Sequence, residues 1–242
     1  MSPWLFLHEG KCPPSLTMET DLELFEAVRN GIIPGALRLY DWAEPAVTTG
    51  FHQKSFELHD KSLVLPVLQR PTGGGAVLHG DDITFSISTP VGGIFPGSIP
   101  ECSLVISRVF AATLNMCGLD VRIKGGDHAF SPVCFTRPSP VELLSEDGKV
   151  MGLAMARKGS YMLVQGVIPL KVDQEMALKV FGPGNVPENK GLLDVHPSFH
   201  SDGFFQALGE CLGSQLGVLL QEGKAEDHQH GGTYSRQVEP GR

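Results

Sequence analysis

Positive charge is scarce in this chain. Its 242 residues include 19 Lys and Arg against 27 Asp and Glu, a formal net charge of -8. No run of Lys or Arg escapes that balance. Duplex-binding surfaces owe most of their affinity to neutralised phosphates, so nucleic acid is not the expected ligand, and neither is an anionic membrane. Long apolar runs are also missing. Trp4-Leu5-Phe6-Leu7 is far shorter than a signal h-region of about 7–15 residues. No window approaches the roughly 20 apolar residues of a membrane span. The five cysteines, Cys12, Cys102, Cys117, Cys134 and Cys211, are odd in number, widely spaced and without a C-x-x-C pair, which argues against a disulfide framework and a zinc site. These absences together predict a protein of a reducing cytoplasm, with no metal.

What is present suffices for a core. Gly 29 and Pro 18 are high counts, but together they stay below the roughly 25–30% of a low-complexity chain. Hydrophobic residues make up 41% and charged residues 19%, enough apolar surface to offset the entropy of ordering. The expected organisation is one domain over 1–222 and a tail over 223–242. The tail has almost no apolar side chains and is expected to be disordered; its His228 and His230 read as solvated rather than metal-binding.

Periodicity supplies the elements. Met18, Leu22, Phe25 and Val28 predict a helix over 18–30, with Thr20-x-x-Glu23 as a capping box and Gly31 as the stop. Strands are predicted at 36–42 and 63–68, the second placed at an edge by Pro66. Residues 76–79 and 83–88 read as a hairpin around His79-Gly80-Asp81-Asp82. A helix over 101–117 follows, introduced by Ser98-x-x-Glu101, then strands at 119–124, 141–145, 149–155 and 161–168. Helices at 174–180 and 202–220 complete the chain. The order implies an α+β fold with a mixed, largely antiparallel sheet flanked by helices.

Two segments carry the chemistry. The first is Gln69-Arg70-Pro71-Thr72-Gly73-Gly74-Gly75-Ala76-Val77-Leu78-His79. Three successive glycines between strands cost entropy and supply no packing, so they serve where a ligand approaches the backbone or φ is positive. No Gly-Lys-Ser/Thr follows, and the loop opens onto a strand, so it is not a Walker loop. Arg70 is placed to contact a phosphate or carboxylate through paired hydrogen bonds. The second segment is Cys134-Phe135-Thr136-Arg137-Pro138-Ser139, then Glu142-Leu143 and Gly148-Lys149-Val150-Met151-Gly152. Cys102, Cys117 and Cys211 lie in apolar helical patterns and read as packing residues. Cys134 lies between Pro132 and Pro138, where packing and function remain equally open. Lys149, alone, reads as a solvated strand end.

Taken together, these segments resemble the lipoate–protein ligase and octanoyltransferase family over about residues 15–180. The likeness begins with Met18 and Asp21 and runs through Pro34-Gly35-Ala36-Leu37-Arg38-Leu39-Tyr40-Asp41-Trp42. The family loop Arg-Arg-x-Thr-Gly-Gly-Gly-Ala-Val-x-His-Asp is matched by Gln69 to Gly80. The later pattern of a Gly-Lys turn is matched by Gly148 to Ala154. The resemblance implies a biotin/lipoate ligase-like catalytic domain. It also implies that Lys149 contacts the acyl carbonyl or acyl-phosphate oxygen, and that Arg70, Gly73, Gly74, Gly75, Ala76, Val77, Leu78, His79 and Gly152 line the substrate pocket.

Two branches stay open. A ligase activates free lipoate with ATP and Mg and needs no cysteine here. An octanoyltransferase takes octanoate from acyl carrier protein through a cysteine thioester, with no cofactor. The motif Cys134-Phe135-x-x-Pro138-Ser139-x-x-Glu142-Leu143 looks like the second branch, as does a polar tail where ligases generally carry an accessory domain. The acceptor implied is a lysine of a lipoyl domain, in a glycine cleavage H protein or a dehydrogenase E2 subunit. A non-catalytic carrier binder is the third reading. Because both carriers are acidic, a basic rim of Arg122, Lys124, Arg137, Arg157 and Lys158 is expected around the site. The chain departs from the pattern at Gln69 and Gly80, at Leu153 and Met155, and at Val164-Gln165-Gly166, where the family often has Gln-His-Gly.

Overall fold

The computed structural model describes residues 2–125, 133–135 and 141–223. Arg137, with the rest of 136–140, and the tail from 224 on, with His228 and His230, lie outside the described residues. Among the described residues, eleven strands and five helices follow one another as β1(Trp4–Cys12), α1(Pro14–Arg29), β2(Ala36–Trp42), β3(Ala46–Thr49), β4(Val67–Gln69), β5(Val77–His79), β6(Asp82–Pro90), α2(Ile99–Met116), β7(Arg122–Gly125), β8(Val141–Ser145), β9(Gly148–Lys158), β10(Tyr161–Pro169), α3(Gln174–Phe181), α4(Leu192–Val195), α5(Ser201–Leu216) and β11(Leu220–Glu222). An eight-stranded sheet runs β11-β1-β2-β6-β10-β9-β8-β7, and a three-stranded sheet runs β4-β3-β5. In the large sheet only the pairs of β1 are parallel; the others are antiparallel. The α+β reading with a mixed, largely antiparallel sheet therefore holds.

The two faces of the large sheet differ in chemistry, and strand alternation causes the difference. Along β6, Ile83, Phe85 and Ile87 point into the main core with Leu37 and Leu39 of β2 and Met162, Val164 and Ile168 of β10. α2 and α5 close that face with Ile106, Phe110, Phe204 and Leu208, and Phe85 stacks on Phe110 at 4.3 Å. A side chain at Gly166 would meet the Phe85 ring at 2.1 Å, so this position takes only glycine. The alternate residues of the same strands, Arg38, Tyr40 and Trp42, Thr84, Ser86 and Ser88, and Gln165, are buried too. They face α1 and the small sheet. This polar face is where the site forms.

Several expectations are corrected. The predicted hairpin is not one: β5 pairs with β3 in the small sheet, while β6 pairs with β2 and β10 in the large one. Gly80 and Asp81 carry the chain from one sheet to the other. Asp82 holds that corner, accepting from the Gly80 amide at 3.1 Å and from the Thr84 hydroxyl at 2.6 Å. α1 begins at Pro14, not at 18; a proline suits the first helical turn because its missing N–H has no partner there anyway. Thr20 does not cap; its hydroxyl donates to the Leu16 carbonyl. The strand expected at 63–68 pairs only over Val67–Gln69, and Leu63 and Leu65 instead pack against the small cluster of Val47 and Phe181. The last helix stops at Leu216 because Gly217 adopts φ 65, and β11 follows. Gly223, expected to open the tail, donates to the Phe6 carbonyl at 2.9 Å. No helix among the described residues is long and apolar enough to cross a membrane.

Candidate active site

The glycine-rich segment leaves β4 and enters β5, and two clamps fix it. One is Arg70, which is buried. Its Nη2 donates to the carbonyls of Gly73 and Gly75, both at 2.7 Å. Its Nε donates to Gly73 at 3.2 Å, and its Nη1 to the carbonyl and hydroxyl oxygens of Thr48 at 3.1 and 3.2 Å. All five guanidinium protons are thus used. This fork serves the backbone of its own loop, and Arg70 also borders the smaller cavity beside Cys134. The other clamp is Thr72, whose hydroxyl donates to Gln165 Oε1 at 2.7 Å.

The three glycines differ in purpose. Gly74 has φ 91, and a side chain there would meet Arg70 Nη2 at 2.9 Å, so conformation and space both require glycine. Around Gly73 nothing lies within 4 Å of where a Cβ would stand, which leaves the backbone open to approach. Gly75 contributes its carbonyl to Arg70. Ala76 is buried in the small cluster, and its carbonyl accepts from the Cys134 amide at 2.8 Å. That bond, with the bridge between Ala76 and Val133, sets Cys134 against the exit of the loop.

Cys134 is half-buried and lies where two cavities meet. The smaller, about 50 Å³, is lined by Cys134, Gly74, Val77, Tyr40, Ala154 and Gln165 among others. The larger is an open groove of about 950 Å³, which reaches Cys134 past Val77, Leu78 and His79. A Cβ on Gly152 would stand 3.4 Å from Cys134 Sγ and 3.0 Å from the Phe135 ring, so a glycine in β9 makes room for both. Phe135 has φ 67, a conformation uncommon outside glycine and a mark of local constraint.

Lys149 reaches the same place through a bulge. Leu143 pairs with Met151 while Leu144 pairs with Lys149, so Val150 is the extra residue of β9. Val150 and Met151 both enter the core. The alternation slips there, and Lys149 shares the face of Gly152. Its Nζ lies 5.2 Å from the centre of the Phe135 ring, within cation–π range. Cys134, Phe135, Lys149 and Gly152 therefore form one contact group, although Lys149 lines neither cavity.

His79, expected at a hairpin turn, is the buried last residue of β5 and borders both cavities. Its Nδ1 lies 3.2 Å from Asp82 Oδ2, its Nε2 lies 2.9 Å from Thr48 Oγ1, and its ring stacks on Trp42 at 4.3 Å. Behind the smaller cavity stands a network that sequence reasoning left unassembled. Asp21, fully buried, accepts from Arg38 Nη1 at 2.9 Å, from Ser86 Oγ at 2.6 Å and from Gln165 Nε2 at 2.7 Å. Burial works against the Arg38 charge, and Asp21 and Glu9 more than restore it, so its pKa is raised. Burial pushes the Tyr40 hydroxyl well up as well, with the Asp21 charge adding to it. Asp21 entered only through the resemblance, and Met18 otherwise only as part of a helical pattern; what joins them is a shared contact with Gln165 of β10, which no local pattern encodes.

Among the described residues the expected basic rim is not one surface. Arg157 and Lys158 lie at the far end of β9, eight and nine residues and roughly 26–30 Å along the strand from Lys149, where Lys158 pairs with Glu26 at 3.4 Å. Arg122 pairs with Asp120 at 2.9 Å on the β7 edge. The groove beside Cys134 is instead mostly acidic, with Asp41, Asp81, Asp82 and Asp173 against Lys11 and Lys171. Burial, reinforced by Asp82 and Asp81, raises the Asp41 carboxyl.

A glycine-rich loop beside a thiol and an amine, mounted on a mixed sheet, defines a candidate acyl-handling domain. Residues 13–198 match the sequence model of the lipoyl protein ligase A/B catalytic domain, and the chain belongs to that family. The octanoyltransferase LipM of Lysinibacillus sphaericus is 34% identical over 195 residues, 75% of this chain and 71% of that protein. The octanoyltransferase LipM of Carboxydothermus hydrogenoformans is 35% identical over 211 residues, 83% of this chain and 76% of its own. Among solved structures, a lipoate-protein ligase A bound with ATP superposes with a TM-score of 0.72 at 20% identity, over 93% of this chain and 89% of that one. A putative lipoate protein ligase from T. acidophilum with bound lipoic acid gives 0.72 at 20% identity, over 92% and 90%. At such identities the likeness establishes the fold.

Proposed function

We propose that the chain is an octanoyltransferase that works by a covalent relay. Cys134 takes octanoate from the thioester of an acyl carrier protein and gives it to a lysine of a lipoyl domain, in a glycine cleavage H protein or a dehydrogenase E2 subunit. The observation that carries this reading is the position of Cys134, between a narrow, mainly apolar cavity and a wide open groove. The smaller cavity, about 50 Å³, admits the first carbons of an acyl chain bound to the sulfur, and the groove gives a second macromolecule an approach. Relatives named octanoyltransferase at 30–35% identity support the same choice. Five unpaired cysteines accord with a reducing cytoplasm.

The chemistry balances without ATP, because the donor thioester is already activated. The Cys134 thiolate attacks the carbonyl carbon and a C–S bond forms. The tetrahedral oxyanion collapses, and the carrier thiolate leaves and takes a proton from water. The neutral amine of the acceptor lysine then attacks the acyl-cysteine. A C–N bond forms, the C–S bond breaks, and the amine proton leaves for solvent as the thiolate returns. Lys149, beside Phe135, is assigned to the oxyanion of both steps, where a fixed positive charge acts most strongly. Each methylene of the octanoyl tail that the site buries contributes about 0.8 kcal/mol of binding.

Intact mass after exposure to octanoyl-acyl carrier protein, with no ATP, tests the reading. The expected result is one added octanoyl group, removed by hydroxylamine and absent from Cys134→Ser, with slower loading in Lys149→Ala. Full transfer by Cys134→Ser overturns the covalent relay. An adduct that forms only with ATP and the free acid assigns the chain to the ligase branch instead, and carrier association without acyl movement makes it a binder.

A further inference from the structure

Gln165 stands where the family resemblance has a histidine, and its surroundings state what it does. The residue is buried in β10, on the polar face of the large sheet, with 6% of its surface exposed. Its amide nitrogen has two protons: one goes to Asp21 Oδ2 at 2.7 Å and the other toward Met18 Sδ at 3.4 Å. Its amide oxygen accepts from the Thr72 hydroxyl at 2.7 Å. Thr72 is itself wholly buried, and its carbonyl accepts from Phe51 at 2.8 Å. Both amide protons are therefore engaged inside the protein, although Gln165 borders the cavity beside Cys134.

We propose that Gln165 is a positioning residue, which ties the first residues of the glycine-rich loop to α1 through the chain Asp21–Gln165–Thr72. Asp21 is held in turn by Arg38 and Ser86, so the anchor extends into β2 and β6. Arg70 fixes the loop from within, through the carbonyls of Gly73 and Gly75. Gln165 fixes its entrance against the rest of the fold. An amide does this with one polarity at every pH, because it neither gains nor loses a proton. The site thus contains no proton-transfer group at this position.

The proposal concerns the loop of the proposed transfer site, yet its main test needs no acyl substrate, so its failure is separable from failure of the octanoyltransferase reading. Hydrogen exchange is followed in a peptide spanning residues 71–78 for the parent, Gln165→Leu and Thr72→Val. Faster exchange by about tenfold or more in that peptide is expected in both variants, with peptides of α2 and β6 unchanged. The double variant should match the single ones, since either change cuts the same chain. Gln165→His, which offers one donor and one acceptor, should recover part of the protection. Where the parent transfers octanoate, kcat/KM should fall by about ten- to a hundredfold in each single variant, as expected for a reacting group displaced by about 1 Å, again without adding in the double. Exchange in 71–78 that stays at the parent rate in Thr72→Val overturns the proposal, and so do additive effects of the two changes. Thr72→Val alone decides the matter if Gln165→Leu does not fold.

Discussion

Replacing Asp21 by alanine is the sharpest test of the polar layer behind the site. Its carboxylate has no exposed surface and accepts three bonds, from Arg38, Ser86 and Gln165 at 2.9, 2.6 and 2.7 Å. Without it, the Ser86 hydroxyl and a Gln165 proton lose their acceptor, at about 1–3 kcal/mol for each buried orphan. Arg38 loses one of its two carboxylates but keeps Glu9 and the Thr17 carbonyl at 2.8 Å. Breaking a buried ion pair outright costs about 3–5 kcal/mol. Because Glu9 stays and water can enter the vacated space, we expect the total at about 3–5 kcal/mol rather than the full sum. With a urea slope of roughly 2–3 kcal/mol per molar, the midpoint falls by about 1–2.5 M. The two tryptophans, Trp4 and Trp42, are both buried and report the transition by fluorescence. Asp21→Asn keeps the shape, but its amide protons face other donors, so it recovers only part of the loss. An Asp21→Ala midpoint within about 0.3 M of the parent, with an unchanged slope, would refute the argument that this carboxylate organises the layer.

Gly152→Ala places a methyl 3.0 Å from the Phe135 ring and 3.4 Å from Cys134 Sγ; octanoyl loading measured by mass should slow by about ten- to a hundredfold while the thermal midpoint moves by only a few degrees. Thiol alkylation should separate the cysteines by burial. Burial pushes Cys102 up to about 11 and raises Cys12 and Cys117 as well, so at pH 8 these three stay protonated and unreactive in the folded protein. Iodoacetamide should then label Cys134 first, and the protected thiols should react only after urea or as pH climbs toward their raised values, a sequence read by peptide mass mapping.

The elements that sequence made visible are those whose determinants are local. Ser98 caps α2 as its spacing predicts, accepting from the Glu101 amide, and 36–42 and 141–145 are strands with the expected bounds. What escaped is long-range. β1 breaks its own alternation between His8 and Lys11, so no period-two pattern marks it, and it is a strand because β2 and β11 flank it. The false hairpin arose because 76–79 and 83–88 each carry strand character; what separates them into two sheets is a pairing with β3, thirty residues earlier in the chain. Within the site, the glycine loop and Cys134 stand out as unusual compositions. Asp21, Thr48, Asp82 and Gln165 do not, because a buried polar residue is identified by its partners and these come from other elements.

That distinction bears on how the departures from the family pattern should be weighed. Gly80 stands where the pattern has an aspartate after the histidine, which taken along the chain suggests a missing carboxylate. In space the carboxylate is present: Asp82 lies 3.2 Å from His79 Nδ1 and binds the Gly80 amide as well, so the sheet-switching corner returns it to the ring. Gln165 in place of a histidine looks like the loss of a proton carrier, yet it leaves no orphan, since Asp21, Met18 and Thr72 each meet a suitable atom of the amide. In both cases the groups around the changed position keep their partners although the lettering differs. A substitution that left Asp82 or Thr72 unpartnered would carry the cost of a buried orphan and would signal a changed site; these two do not. The constraint at these two positions is that the buried groups around them keep their partners, and that constraint admits more than one sequence.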